Sequence, residues 1–181
     1  MIMDDALNTI TNIASQPFDR AAVATDNSIL LIYPPERELD FRDLLFDRCL
    51  PGLKSLGIPF EILDLSHFLF DCFEEQELED LQADEFRNYR FMKQGLSKRV
   101  ESGLCRALQE FSQKSPGTNL FVVSTISLFP LVKFGEVLTN LRDLSCRLLI
   151  VFPGEERGGK LHYMNAPDGG NYLALKITLK T

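Results

Sequence analysis

Four polar groups stand where chemistry could be built: Tyr33 with Glu36 and Arg37, Asp64 with Ser66 and His67, Ser124 with Thr125, and Glu155 with Glu156. Asp64 and His67 are the right types for a general acid–base pair if the turn after Asp64 brings them together. They also have a structural reading, favoured here, in which Asp64 ends a strand, Ser66 caps a helix and His67 packs in its first turn. Ser124 as a nucleophile would need a G-x-S-x-G elbow and a base, and the sequence supplies neither. Magnesium-dependent phosphoryl transfer needs an acid at the end of an apolar strand. LFVVSTIS ends in hydroxyls, and RLLIVFPGEE reaches its acids only after Pro153-Gly154.

The stretch SILLIYPPERE (28–38) decides most. It reads as a buried strand that passes at Pro34-Pro35 directly into a charged helix start. A phosphate-binding turn at this place needs glycines whose backbone N–H groups approach the anion, and often a Lys with a Ser or Thr. Here Tyr33 is followed by two prolines, which remove two donors, and then by Glu36, Arg37 and Glu38. This corner is wrongly built for a nucleotide.

The remaining elements follow from periodicity. Leu7, Ile10 and Ala14, with Ile13 beside them, predict a short amphipathic helix over 4–14. ELDFRDLLFDRCL predicts a second helix with Leu39, Leu45, Phe46 and Cys49 on or near one side and a Glu38–Arg42 pair, interrupted at Pro51-Gly52. FEILDLS (60–66) is a second strand, which completes a strand–helix–strand unit of a parallel sheet. Ser66 begins a helix carrying His67, Phe70 and Phe73, and the longest helical pattern runs from Asp84 to Phe111 with Gly95 and Gly103 inside it. LFVVS is a central strand, Pro130 starts a helix reaching about Asp143, and RLLIVF (147–152) is a fourth strand ending at Pro153-Gly154. KLHYM and NYLALKITLK read as short antiparallel edge strands. The expected fold is a single α/β domain over 1–181. It is a three-layer sandwich around a mostly parallel sheet, Rossmann-like or like a degenerate P-loop NTPase, with antiparallel C-terminal edge strands and a helical insertion at about 66–113.

Composition narrows the class of partner. The chain has 181 residues and a net charge of −7, which opposes binding to nucleic acid or an anionic membrane. Cys49, Cys72, Cys105 and Cys146 are widely spaced, with only His67 and His162 as further soft ligands, so they are expected to be reduced packing thiols. The start MIMDDALNTITNIA carries acids where a secretory leader needs bases, which points to a cytoplasmic protein. From Asp71 to Glu85 the chain holds Glu74, Glu75, Glu77, Glu79, Asp80 and Asp84 with no base among them. The following helix carries Arg87, Arg90, Lys93, Lys98, Arg99 and Arg106. Solvated faces are one reading of this pattern; docking of charged proteins is the other.

Several stretches in order resemble the BrxB family of bacterial BREX phage-defence systems: YPPERELDFR after the first strand, the Pro130-to-Leu141 segment, VFPGE at 151–155 and the late NYLALKI. The resemblance implies a small cytoplasmic component without established catalysis of its own and without a cofactor. Its implied setting is an assembly with a PglZ-type phosphatase-superfamily protein, a large ATPase and a DNA methyltransferase. Tyr33, Pro34, Pro35, Glu36, Arg37 and Arg42 match the first motif, and Pro153, Gly154 and Glu155 the second. These either line a common surface at the strand ends or fix the turns. Together with Glu74, Glu75, Glu77, Arg87 and Arg90 they form the expected interaction surface of a non-catalytic adaptor. The rival expectation is a cryptic nucleotide-binding or hydrolytic protein that uses the strand-end crevice through Asp64, His67 and Thr125.

Overall fold

The computed structural model describes residues 3–18, 27–84, 89–141, 143–158, 160–164, 166–167 and 174–179. Five strands form a parallel sheet: β1 (Ser28–Tyr33), β2 (Phe60–Asp64), β3 (Asn119–Val123), β4 (Arg147–Arg157) and, last in the chain, β7 (Leu175–Thr178). Their spatial order is β2-β3-β4-β1-β7. The mostly parallel α/β sandwich expected from the sequence is therefore present. Its strand order differs from that of the dinucleotide-binding fold, in which the first strand lies beside the second. Here β1 lies between β4 and β7, and all six of its residues are buried.

Alternation along the strands divides the core between two faces. Ile29, Leu31 and Tyr33 face a cluster with Ala6, Ile10 and Ala14 of helix α1 (Met3–Ser15), and with Phe41, Leu44, Leu45 and Leu53. Leu30 and Ile32 face the opposite cluster, with Val100, Leu104 and Leu108. Those three belong to the long helix α6 (Tyr89–Lys114), which follows α4 (Phe68–Asp71) and α5 (Glu75–Asp84) between β2 and β3. Helix α7 (Phe134–Asn140) covers the same face through Phe134, Val137 and Leu138.

The helix after β1 is not interrupted at Pro51-Gly52. It runs as α2 (Glu38–Asp43), one π-helical stretch (Leu44–Cys49) and α3 (Leu50–Ser55). Proline lacks an N–H and its ring clashes with the carbonyl four residues back, so the wider π turn just before it relieves the conflict. Leu50 N–H accordingly donates to Leu45 O. Phe41, Leu44, Leu45 and Cys49 are buried, whereas Leu39 and Phe46, expected on that side, are exposed.

Three further expectations are corrected. Ser66 is not the N-cap of the helix expected to carry His67, Phe70 and Phe73: its N–H binds Asp64 Oδ1 at 2.9 Å, and α4 is a single turn, Phe68–Asp71, with His67 at its N-cap. Pro130 follows a cis peptide bond with Phe129 and lies ahead of α7 rather than in its first turn. The final strand β7 is parallel to β1, Ile29 facing Leu175, and not antiparallel. The antiparallel edge belongs instead to β5 (Lys160–Tyr163) and β6 (Ala166–Pro167).

Candidate functional site

Ligands in an open α/β sheet bind beyond the carboxyl ends of the strands. At that end β1 finishes on Tyr33, which stacks on Phe41 with ring centroids 4.2 Å apart and planes within 3°. Its hydroxyl donates to the Glu38 carboxylate. Burial, and then the Glu38 carboxylate, push the phenol far above its ordinary range, so Tyr33 is a fixed donor. Pro34 and Pro35 are half-buried, Glu36 is exposed, and Arg37 pairs with Asp40 across one helical turn. Arg42 does not pair with Glu38 in the expected way; its guanidinium lies 5.9 Å from the Phe46 ring centre. The crevice that remains, lined by Glu38, Phe41, Arg42, Ser124 and Val151, measures about 20 Å³. That is room for about one water molecule.

The second motif sits beside the first, because Tyr33 faces Pro153 across the β1–β4 ladder. It does not form a surface. β4 continues through Pro153 and Gly154, both buried, and leaves the parallel sheet to pair with β5. Gly154 faces Tyr163 there, and a Cβ at Gly154 would come 2.1 Å from His162 O. Only Glu155 of this motif reaches solvent in part, and it pairs with Arg157. Tyr33, Pro153 and Gly154 therefore set the backbone path and are withdrawn from the expected interaction surface.

The polar groups of the rival reading are engaged locally. Ser124 adopts the left-handed region (φ 56°). Burial alone would raise the Asp64 carboxyl. Hydrogen bonds from Ser124 and from the Ser66 amide and hydroxyl, with the charge of Arg42, overcome this and hold it below the usual carboxylate range. Asp64 is thus ionised and committed to Ser124 and Ser66, not poised as a base toward His67. Thr125 is buried and donates its hydroxyl to Val151 O at 2.7 Å.

The charged flank is open. Glu74 and Glu75 are exposed, and Glu74 N–H donates to Glu77 Oε2 at 2.9 Å. Glu77 receives both terminal nitrogens of Arg99, at 2.6 and 2.8 Å, and Arg99 also lies 4.6 Å from the Phe73 ring centre. The hydrogen bonds from Arg99 lower the Glu77 pKa and raise that of Arg99. The acidic segment is therefore a helix clamped to α6 rather than a free linker. Arg87 lies outside the described residues, and Arg90 is described only as part of the α6 backbone. A hollow of about 530 Å³ between α4 and α6 is flanked by Asp71, Arg99, Arg106 and Glu110. Another of about 880 Å³ is lined by Lys93, Lys98 and Lys133 against Glu101 and Glu136. Burial raises the Glu101 carboxyl, although it accepts the Lys133 N–H at 3.1 Å.

Gly103 lets α4 approach α6, since its Cβ would lie 3.2 Å from Cys72 Sγ; Gly95 has open space at that position. All four cysteines are free thiols, and burial pushes Cys49 up to about 11. Among the described residues there is no cluster of three or more metal-ligating side chains, and no helix is long and apolar enough to cross a membrane. No family model, no curated protein and no solved structure matches this chain.

Proposed function

We propose that this chain is a non-catalytic adaptor of a BREX-type antiphage assembly, docking a protein partner such as a PglZ-type phosphatase-superfamily protein. One observation carries the reading: among the described residues at the end of β1, where an α/β protein would hold a nucleotide, Tyr33 is bound to Glu38 and stacked on Phe41, and the hollow beside Glu38 and Phe41 measures about 20 Å³. The ordered resemblance of YPPERELDFR, VFPGE and NYLALKI to the BrxB family supports the choice of assembly. The charged, solvent-facing α5 and α6 support a role played through surfaces.

The test has two arms. Calorimetry with ATP and GTP, with and without magnesium, is expected to show no saturable heat; micromolar binding lost in Asp64→Ala would favour the nucleotide-binding rival. Affinity capture of the full chain from its native host is expected to retain a PglZ-type protein. Capture of none of the neighbouring gene products would defeat the adaptor reading.

A further inference from the structure

The sheet ends on one side at β2, and among the described residues no strand pairs with its outer edge. The ladder fixes which backbone groups face outward. Leu65 N–H donates to Val123 O at 3.1 Å, and Pro59 O accepts Asn119 N–H at 3.2 Å. Odd-numbered residues therefore bond to β3, and the N–H and C=O groups of Phe60, Ile62 and Asp64 point away from the sheet. Proteins ordinarily blunt such an edge with a lysine, a proline within the strand or a bulge. β2 carries no lysine, internal proline or bulge, its register with β3 being continuous from Phe60 to Asp64, and the charges it does carry are the acids Glu61 and Asp64. Large apolar side chains are exposed on this strand and on the elements that enter and leave it: Ile62 at 42%, Leu56 at 62% and Phe70 at 57%.

Charge selects the occupant. From Ser55 to Phe86 the sequence contains no lysine or arginine, and the strand itself exposes the acids Glu61 and Asp64. Glu61 accepts the Ser115 hydroxyl at 3.1 Å, which holds its carboxylate beside the strand. A second copy of this chain would bring the same acids against themselves. We infer that the open edge of β2 takes up an extended segment of a partner protein as an added strand, one that alternates apolar and basic residues. Its backbone would bond to Phe60, Ile62 and Asp64. Its apolar side chains would lie on the Ile62 face, and its Lys or Arg side chains on the Glu61 face. This rests on the adaptor reading and gives it a docking site.

The probe is a short peptide of alternating lysine and valine, titrated into the full chain. Saturable binding is expected, with slowed amide hydrogen exchange at Phe60, Ile62 and Asp64. Binding should fall at least about tenfold in Ile62→Lys, and by a similar factor in Glu61→Lys. Circular dichroism checks that both variants fold, since both sites are exposed. N-methylation of the peptide on its pairing side keeps the charge and should abolish binding. Equal binding by the methylated peptide, or no change in exchange at the three amides, overturns strand addition. Self-association of the chain that Ile62→Lys abolishes would name a second copy as the occupant and overturn the inference too. If Ile62→Lys still captures the native partner, the edge proposal fails while the adaptor reading stands. If nothing is captured although the peptide binds, the adaptor reading fails alone.

Discussion

At the carboxyl ends of the parallel strands the described polar groups mostly bind one another: Tyr33 donates to Glu38 and stacks on Phe41, Thr125 donates to Val151 O, and Asp64 accepts the Ser66 N–H. On the flank formed by β2, α4, α5 and α6 the reverse holds, with backbone groups, carboxylates and apolar side chains left facing solvent. The same chain thus closes the place where its fold class usually does chemistry and leaves open an edge that similar sheets usually protect. Changes at the first region should be felt as stability, and changes at the second as association.

The largest effect is expected at Tyr33. Tyr33→Ala removes a fully buried ring and its stack and should cost about 3–5 kcal/mol, read as a lowered urea midpoint. A loss much smaller than that would mean the corner can relax, and the contrast would weaken. Gly154→Ala is next: its Cβ meets His162 O and the Phe152 ring, at 2.1 and 2.7 Å, so about 1–3 kcal/mol should be lost as β4 and β5 separate. Calorimetric melting of the variant checks this.

A smaller effect is tied to pH. The folded Asp64 carboxyl titrates below its unfolded counterpart, near about 3.9, so its stabilisation is complete above that value and is lost as pH falls through the folded pKa. Asp64→Asn should therefore show a shallower loss of stability below about pH 4 than the parent chain in acid titrations followed by circular dichroism. At the other region, Arg99→Ala should leave the melting temperature almost unchanged, because the Arg99–Glu77 pair is solvent-exposed. Partner capture should weaken there and become less sensitive to salt. A large fall in melting temperature would show α5 to be structural and would erase the distinction between the regions.

Much of this was legible in the residues. The apolar runs at 28–33, 119–123 and 147–152 became the three central strands, and Val100, Leu104 and Leu108 proved to be the buried stripe of α6. The rigid Pro34-Pro35 corner after Tyr33 was visible in the residues, but the contacts that surround Tyr33 were not. Glu38 and Phe41 meet Tyr33 because the short turn at Pro34–Arg37 leads directly into α2, a three-dimensional contact that periodicity does not report. Pro153 and Gly154 looked like a stop signal, yet a strand that changes partners can use them inside a sheet. The open edge was hidden for a different reason. Which strand lies outermost is a property of topology, and the only local hint was the long run of acids without a base.

The position of β1 has a consequence for how the molecule is made. Both of its neighbours, β4 and β7, come from the last part of the chain, and α1 is fastened at its far end by Asn119 and Arg147, which bind Ala14 O and Gln16 O. β1 leaves the ribosome before either of the strands that flank it. A nascent chain would expose this apolar strand until β4 and β7 emerge, so its pairing is non-local and slow to form.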